Sequence, residues 1–123
     1  MIGHLYCAVL DCPDPKALAR FYAELLGMAI TKDDDDWVEI SDGTTRVCFQ
    51  RAPDHQPPRW PDPAFPQQLH LDVQVGDVDV AEQQVLAIDG RRMPGQGEGF
   101  RVYADPAGHP FCLVFGLEST HVY

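Results

Sequence analysis

At 123 residues with 45% hydrophobic side chains, the chain is long enough to bury a core without disulfides. A formal charge of −10 with no basic stripe argues against a nucleic-acid surface, and no apolar run reaches the length of a membrane span. No basic start followed by an apolar stretch opens the chain, and Cys7, Cys12, Cys48 and Cys112 lack CxxC spacing, so reduced thiols in a cytoplasm are expected.

A repeat organises the chain. His4 to Asp11 reads as a short strand ending on an acid, and His70 to Asp77 repeats the grammar, each followed by a helix-like run and then a glycine, Gly27 or Gly90. In the first half, Asp14 caps a helix whose first turn holds Pro15, and Leu18, Phe21, Tyr22, Leu25 and Leu26 fall at helical spacing. Met28 to Lys32, Trp37 to Ile40 and Thr45 to Gln50 read as strands, with Asp33 to Asp36 a solvated turn between the first two.

Residues 52–66 hold six prolines, which neither a ladder nor a helix tolerates, and are expected to link the halves. In the second half, Leu69 to Val75 reads as strand and Asp79 to Ile88 as helix. Arg91 to Met93, Phe100 to Tyr103 and Pro110 to Phe115 read as strands, with glycine-spaced Gly95 to Gly99 as a hairpin or lid. That glycine run precedes a strand and lacks a GK[ST] ending, so it is no phosphate loop. The expected class is α+β: module one over about 3–51, a linker over 52–66 and module two over about 67–116, each β-α-β-β-β, within a single domain.

With DPKALARFYAELLGM in the first half and YADPAGHPFCLVFG closing the second, the chain resembles the vicinal oxygen chelate superfamily, in its small glyoxalase-like, single-domain form. That superfamily includes glyoxalase I, bleomycin-resistance proteins, fosfomycin-resistance enzymes and extradiol dioxygenases. The resemblance implies curled mixed sheets around a cavity, helices outside, and a homodimer, with the modules paired either within the chain or across the dimer. It further implies a small-molecule ligand, while charge and hydropathy lead to the expectation of no nucleic-acid or membrane partner.

Strand alternation orders the side chains around such a cavity. His4 and Tyr6 are expected to face inward with Leu5, Cys7 and Val9 behind; His70, Asp72 and Gln74 are expected opposite Leu69, Leu71, Val73 and Val75. Trp37 and Glu39 alternate with Val38 and Ile40, Arg46, Cys48 and Gln50 with Val47 and Phe49, and Cys112 and Val114 with Phe111, Leu113 and Phe115. One face is thus expected to be apolar and the other to carry the His, Asp, Gln, Cys, Trp and Glu side chains. The expected pocket lining is Tyr6, Trp37, Gln74, Arg101 and Tyr103, and the candidate carboxylates for proton transfer are Glu39 and Asp72.

Metal-dependent members of the superfamily carry ligands on the first and last strands of each half. His4 and His70 match the first-strand positions. The last-strand positions, where glutamate is usual, fall on Cys112 and on Cys48 or Gln50, which sets the chain apart from glyoxalase I. Three readings stay open: a His2Cys2 zinc set of His4, His70, Cys48 and Cys112; a catalytic divalent metal (Zn, Ni, Mn or Fe) with Gln50 and water completing it; or no metal. The matching functions are a metal-dependent enzyme of lyase, isomerase or dioxygenase type, or a metal-free small-molecule binder of the bleomycin-resistance kind. His55 and His121 are expected to be solvent-exposed, in the linker and the tail.

Overall fold

A computed structural model describes residues 1–116; His121 lies outside them. The elements run β1 (Ala8–Cys12), α1 (Pro15–Leu26), β2 (Ala29–Asp33), β3 (Trp37–Ser41), β4 (Arg46–Arg51), β5 (Leu71–Gln74), α2 (Val78–Ala87), β6 (Arg91–Gly97), β7 (Phe100–Ala104) and β8 (Pro110–Val114). Two mixed four-stranded sheets result, ordered β1-β4-β3-β2 and β5-β8-β7-β6. In each the first strand pairs parallel with the last and the remaining neighbours are antiparallel. Two tandem β-α-β-β-β modules are therefore present, and the chain divides into two compact units between Gln56 and Pro57, inside the proline-rich stretch. Among the described residues no helix is long and apolar enough to cross a membrane.

In module one, Asp14 caps α1 by accepting from the Ala17 amide, and Pro15 occupies its first turn. Gly27 ends it in the left-handed region (φ 67°), where a side chain would be strained. The helix lays Leu18, Phe21 and Tyr22 on the sheet, with Tyr22 stacked on Phe49 at 5.6 Å between ring centres. Leu10, Phe49 and Val38 are register partners in adjacent strands, so all three project to this helix-facing side.

That register corrects the expected phase of β1. Leu10 and Cys12 are the buried residues, and Val9 stands on the opposite face with its partners Cys48 and Glu39. The run Ala8-Val9-Leu10 is apolar throughout, so its phase is set by the neighbouring strand. The expected strand from His4 also starts later. Ala8 pairs with Val47 beside the first residue of β4, leaving little ladder for residues farther upstream.

Module two repeats the plan. Asp77 caps α2, accepting from the amides of Asp79 and Val80. Ala81 and Val85 pack inward, and Tyr103 stacks on Phe111 at 5.7 Å. The glycine-spaced stretch is strand: β6 runs to Gly97, with a register shift between Arg92 and Gln96. Its glycines permit close approach, since a Cβ at Gly97 would meet the Phe100 ring at 2.5 Å.

Candidate functional site

The parallel pair β5–β8 sets Asp72 directly opposite Cys112. His70, just ahead of β5, shares the Asp72 face by alternation, and its Nε2 lies 3.1 Å from Asp72 Oδ1. One ligand atom from each of His70, Asp72 and Cys112 falls within 4.8 Å of the others. The Cys112 thiol is pushed above its usual range by burial first and by the Asp72 carboxylate second. Leu71, Val73, Phe111 and Leu113 occupy the alternate positions that face the helix.

These three residues stand in the wall of a cavity of about 690 Å³ formed within module two. Trp60, Phe100 and Phe115 give it aromatic surface, and Val102, Pro110 and Val114 add aliphatic surface. Trp60 is held by its indole N–H, which donates to the Pro94 carbonyl at 2.6 Å. Gln67 and Glu98 bring polar groups to the same wall. This volume lies in the range that encloses a small organic ligand.

Two expected pocket residues face elsewhere. Tyr103 donates to Glu82 of α2 at 2.8 Å, and Arg101 pairs with Asp79 of α2 at 2.9 Å. The register explains this: Tyr103 pairs with helix-facing Phe111 and Arg101 with helix-facing Leu113, while Val102 pairs with Cys112 and lines the cavity. Gln74 is exposed opposite Val114 and is not part of the wall. Trp60, Gln67, Glu98, Phe100 and Phe115 were not foreseen; their only signals were an aromatic inside the proline stretch and the 95–99 glycines.

Module one carries a different polar cluster. Glu39, buried and opposite Cys48, accepts from the Tyr6 hydroxyl at 2.6 Å and from the Thr31 hydroxyl at 2.7 Å. These bonds, Tyr6 first, hold its carboxyl below the usual range. Arg46 stacks over the Tyr6 ring at 4.5 Å. Cys48 is pushed up to about 12, by burial first and then by a hydrogen bond with Cys7. Trp37 is half-buried opposite exposed Gln50, and His4 lies exposed ahead of β1.

The equivalence of the histidines changes with this register. Asp14 and Asp77 cap the two helices, and Val9 and Asp72 oppose Cys48 and Cys112. Counting back from either pair sets Cys7, rather than His4, where His70 stands. The shared seven-residue spacing from histidine to aspartate arises because Asp11 lies within β1 whereas Asp77 caps a helix.

Residues 7–114 match the family described as a glyoxalase-like domain. The chain belongs to that family. No curated protein matches it in sequence. Its fold is shared with a hypothetical protein from S. aureus, 23% identical over 94% of this chain and 98% of that one, with a TM-score of 0.67. A bleomycin-binding protein from Streptomyces verticillus, complexed with copper(II)-bleomycin, is 21% identical over 95% and 100% of the two chains, with a TM-score of 0.60. A mutant of the fosfomycin resistance protein FosX from Listeria monocytogenes, complexed with Mn(II) and 1S,2S-dihydroxypropylphosphonic acid, is 16% identical over 93% and 90%, with a TM-score of 0.71.

The donor set of this glyoxalase-like chain fits a divalent cation. An imidazole nitrogen, a carboxylate oxygen and a thiol sulfur make a mixed set that zinc accepts, and three protein donors leave a further position for ligand or water.

Proposed function

We propose that the module-two cavity is a small-molecule site and that His70, Asp72 and Cys112 hold a divalent cation in its wall. The observation that carries this is the convergence of three different donor atoms within 4.8 Å at the edge of an apolar cavity. The copper(II)-bleomycin and Mn(II)-phosphonate complexes of fold neighbours support small-molecule and metal binding as uses of this architecture. Such a cation would supply Lewis-acid polarisation of an oxygen on the ligand. The aromatic and aliphatic wall offers apolar surface to a ligand bound beside it. Asp72 is the nearby carboxylate able to take or return a proton, which suits lyase, isomerase or dioxygenase-type chemistry. A homodimer and a cytoplasmic setting belong to the same proposal; four free cysteines support a reducing compartment.

The test is metal content of protein purified without chelator, followed by calorimetric titration with Zn(II), Mn(II), Ni(II) and Fe(II). One ion per chain, lost in His70→Ala and weakened in Cys112→Ser, is the expected result. Failure of all four metals to bind overturns the metal assignment. One observation favours a second reading in that event: His70 and Asp72 already pair at 3.1 Å, and Cys112 is held protonated. The cavity would then bind its ligand without metal, as a sequestering protein.

A further inference from the structure

Within the cavity wall, Gln67 Oε1 is shielded from solvent and meets no donor among the described residues. Buried polar atoms are nearly always paired, so an unmet acceptor on a residue of a cavity wall is a candidate partner for a ligand donor. Charge sorts the ligand further. Asp72 and Glu98 both contribute carboxylates, and among the described residues no lysine or arginine lines this cavity. Asp72 is already against His70 at 3.1 Å. Glu98, beyond the end of β6, has no hydrogen bond or ion pair among the described residues. Its charge is therefore the one left for a ligand.

The remaining wall selects shape. Trp60 is fixed by its bond to Pro94, and Phe100 lies against Gly97, where any side chain would displace it. With Phe115 they offer flat π surfaces, which favour planar rings and attract positive charge. In the metal-free chain an anion would face the Asp72 and Glu98 carboxylates with no lysine or arginine in the described wall to offset them.

We infer that the cavity selects a planar aromatic cation that donates a hydrogen bond to Gln67 and sets its positive charge against Glu98. Gln67 and Glu98 are its specificity-determining residues. The inference rests on the cavity being a ligand site, as proposed above, and concerns its metal-free form.

The experiment uses the full chain after chelator treatment. Binding of ethidium, an aromatic cation with ring amines, is compared by calorimetry with that of 1-anilinonaphthalene-8-sulfonate, an aromatic anion. Ethidium is expected to bind one-to-one, at least about tenfold tighter than the sulfonate. Glu98→Gln should weaken ethidium roughly tenfold without weakening the sulfonate. Gln67→Leu should weaken ethidium by a similar factor while raising Tm, because it removes an unmet buried acceptor at nearly constant shape. A packing role for Gln67 would instead lower Tm and affinity together. Equal or tighter sulfonate binding, or no effect of Glu98→Gln, overturns the selectivity and leaves the cavity as a ligand site. Failure of both dyes to bind overturns the ligand site itself. Neither result bears on the metal titration, which His70→Ala reads separately.

Discussion

Asp72 faces Cys112 across the parallel strands β5 and β8 in the register with which Val9 faces Cys48 across β1 and β4. The two modules thus place a cysteine alike, and they differ in whether its neighbour is a carboxylate or an isopropyl group. The three-donor cluster of module two comes from that one difference together with His70.

Asp72→Val, which gives module two the module-one partner, should abolish one-to-one Zn(II) binding in a calorimetric titration. The Asp72 side chain is 53% exposed, so the substitution should move Tm by no more than about 3 °C. Zn(II) binding that survives unchanged would remove Asp72 from the ligand set.

Glu39 supplies a pH prediction in module one. Its folded pKa lies below the ordinary value of 4.5, so its contribution is present above that value and is lost as pH falls through the lowered one. Glu39→Gln should cost about 1 kcal/mol near neutral pH, since it replaces charge-assisted bonds from Tyr6 and Thr31. The gap from wild type should narrow as the pH drops below 4.5, and thermal melts across an acid series measure it. A gap that stays constant into acid would show that the charge on Glu39 contributes nothing.

Much of the fold was legible because its signals are local. Asp14, Pro15 and Asp77 mark helix starts, the prolines mark the break between modules, and His70-Leu-Asp-Val alternates cleanly enough to phase β5. Module one was less legible because Ala8-Val9-Leu10 has no alternation, so its phase comes from pairing with β4. The spacing that made His4 match His70 equated an aspartate inside a strand with one that caps a helix. The cavity wall was hardest to read. Trp60, Gln67, Phe100 and Phe115 come from separate segments and meet only in the folded chain.

Tyr103 tests the face assignment of β7. It is fully buried, and its phenol is pushed up to about 12 by burial first and by Glu82 second. A raised folded pKa makes its contribution complete below the ordinary value of 10 and lost as pH rises through about 12. Tyr103→Phe should therefore lower stability by about 1 kcal/mol near neutral pH and remove from an ultraviolet absorbance titration a phenol that ionises at about 12. Ethidium affinity should stay within about twofold of wild type, because the hydroxyl meets α2 rather than the cavity. A loss as large as that in Gln67→Leu would put Tyr103 back in the wall.

Gly97→Ala probes the wall without touching a polar group. The new Cβ would lie 2.5 Å from the Phe100 ring, and Gly97 is not among the glycines with positive φ, so the backbone accepts alanine and the ring must give way. Phe100 is 38% exposed and can rotate outward, so the stability change should stay within about 1 kcal/mol. The displaced ring no longer closes the aromatic wall, and ethidium affinity should fall roughly threefold to tenfold, about the worth of one aromatic contact. Zn(II) affinity should be unchanged, since His70, Asp72 and Cys112 stand on β5 and β8 or at their edge rather than on the β6–β7 hairpin. Calorimetry with both probes on the one variant separates the effects, and loss of both together would mean that alanine disturbs the whole module.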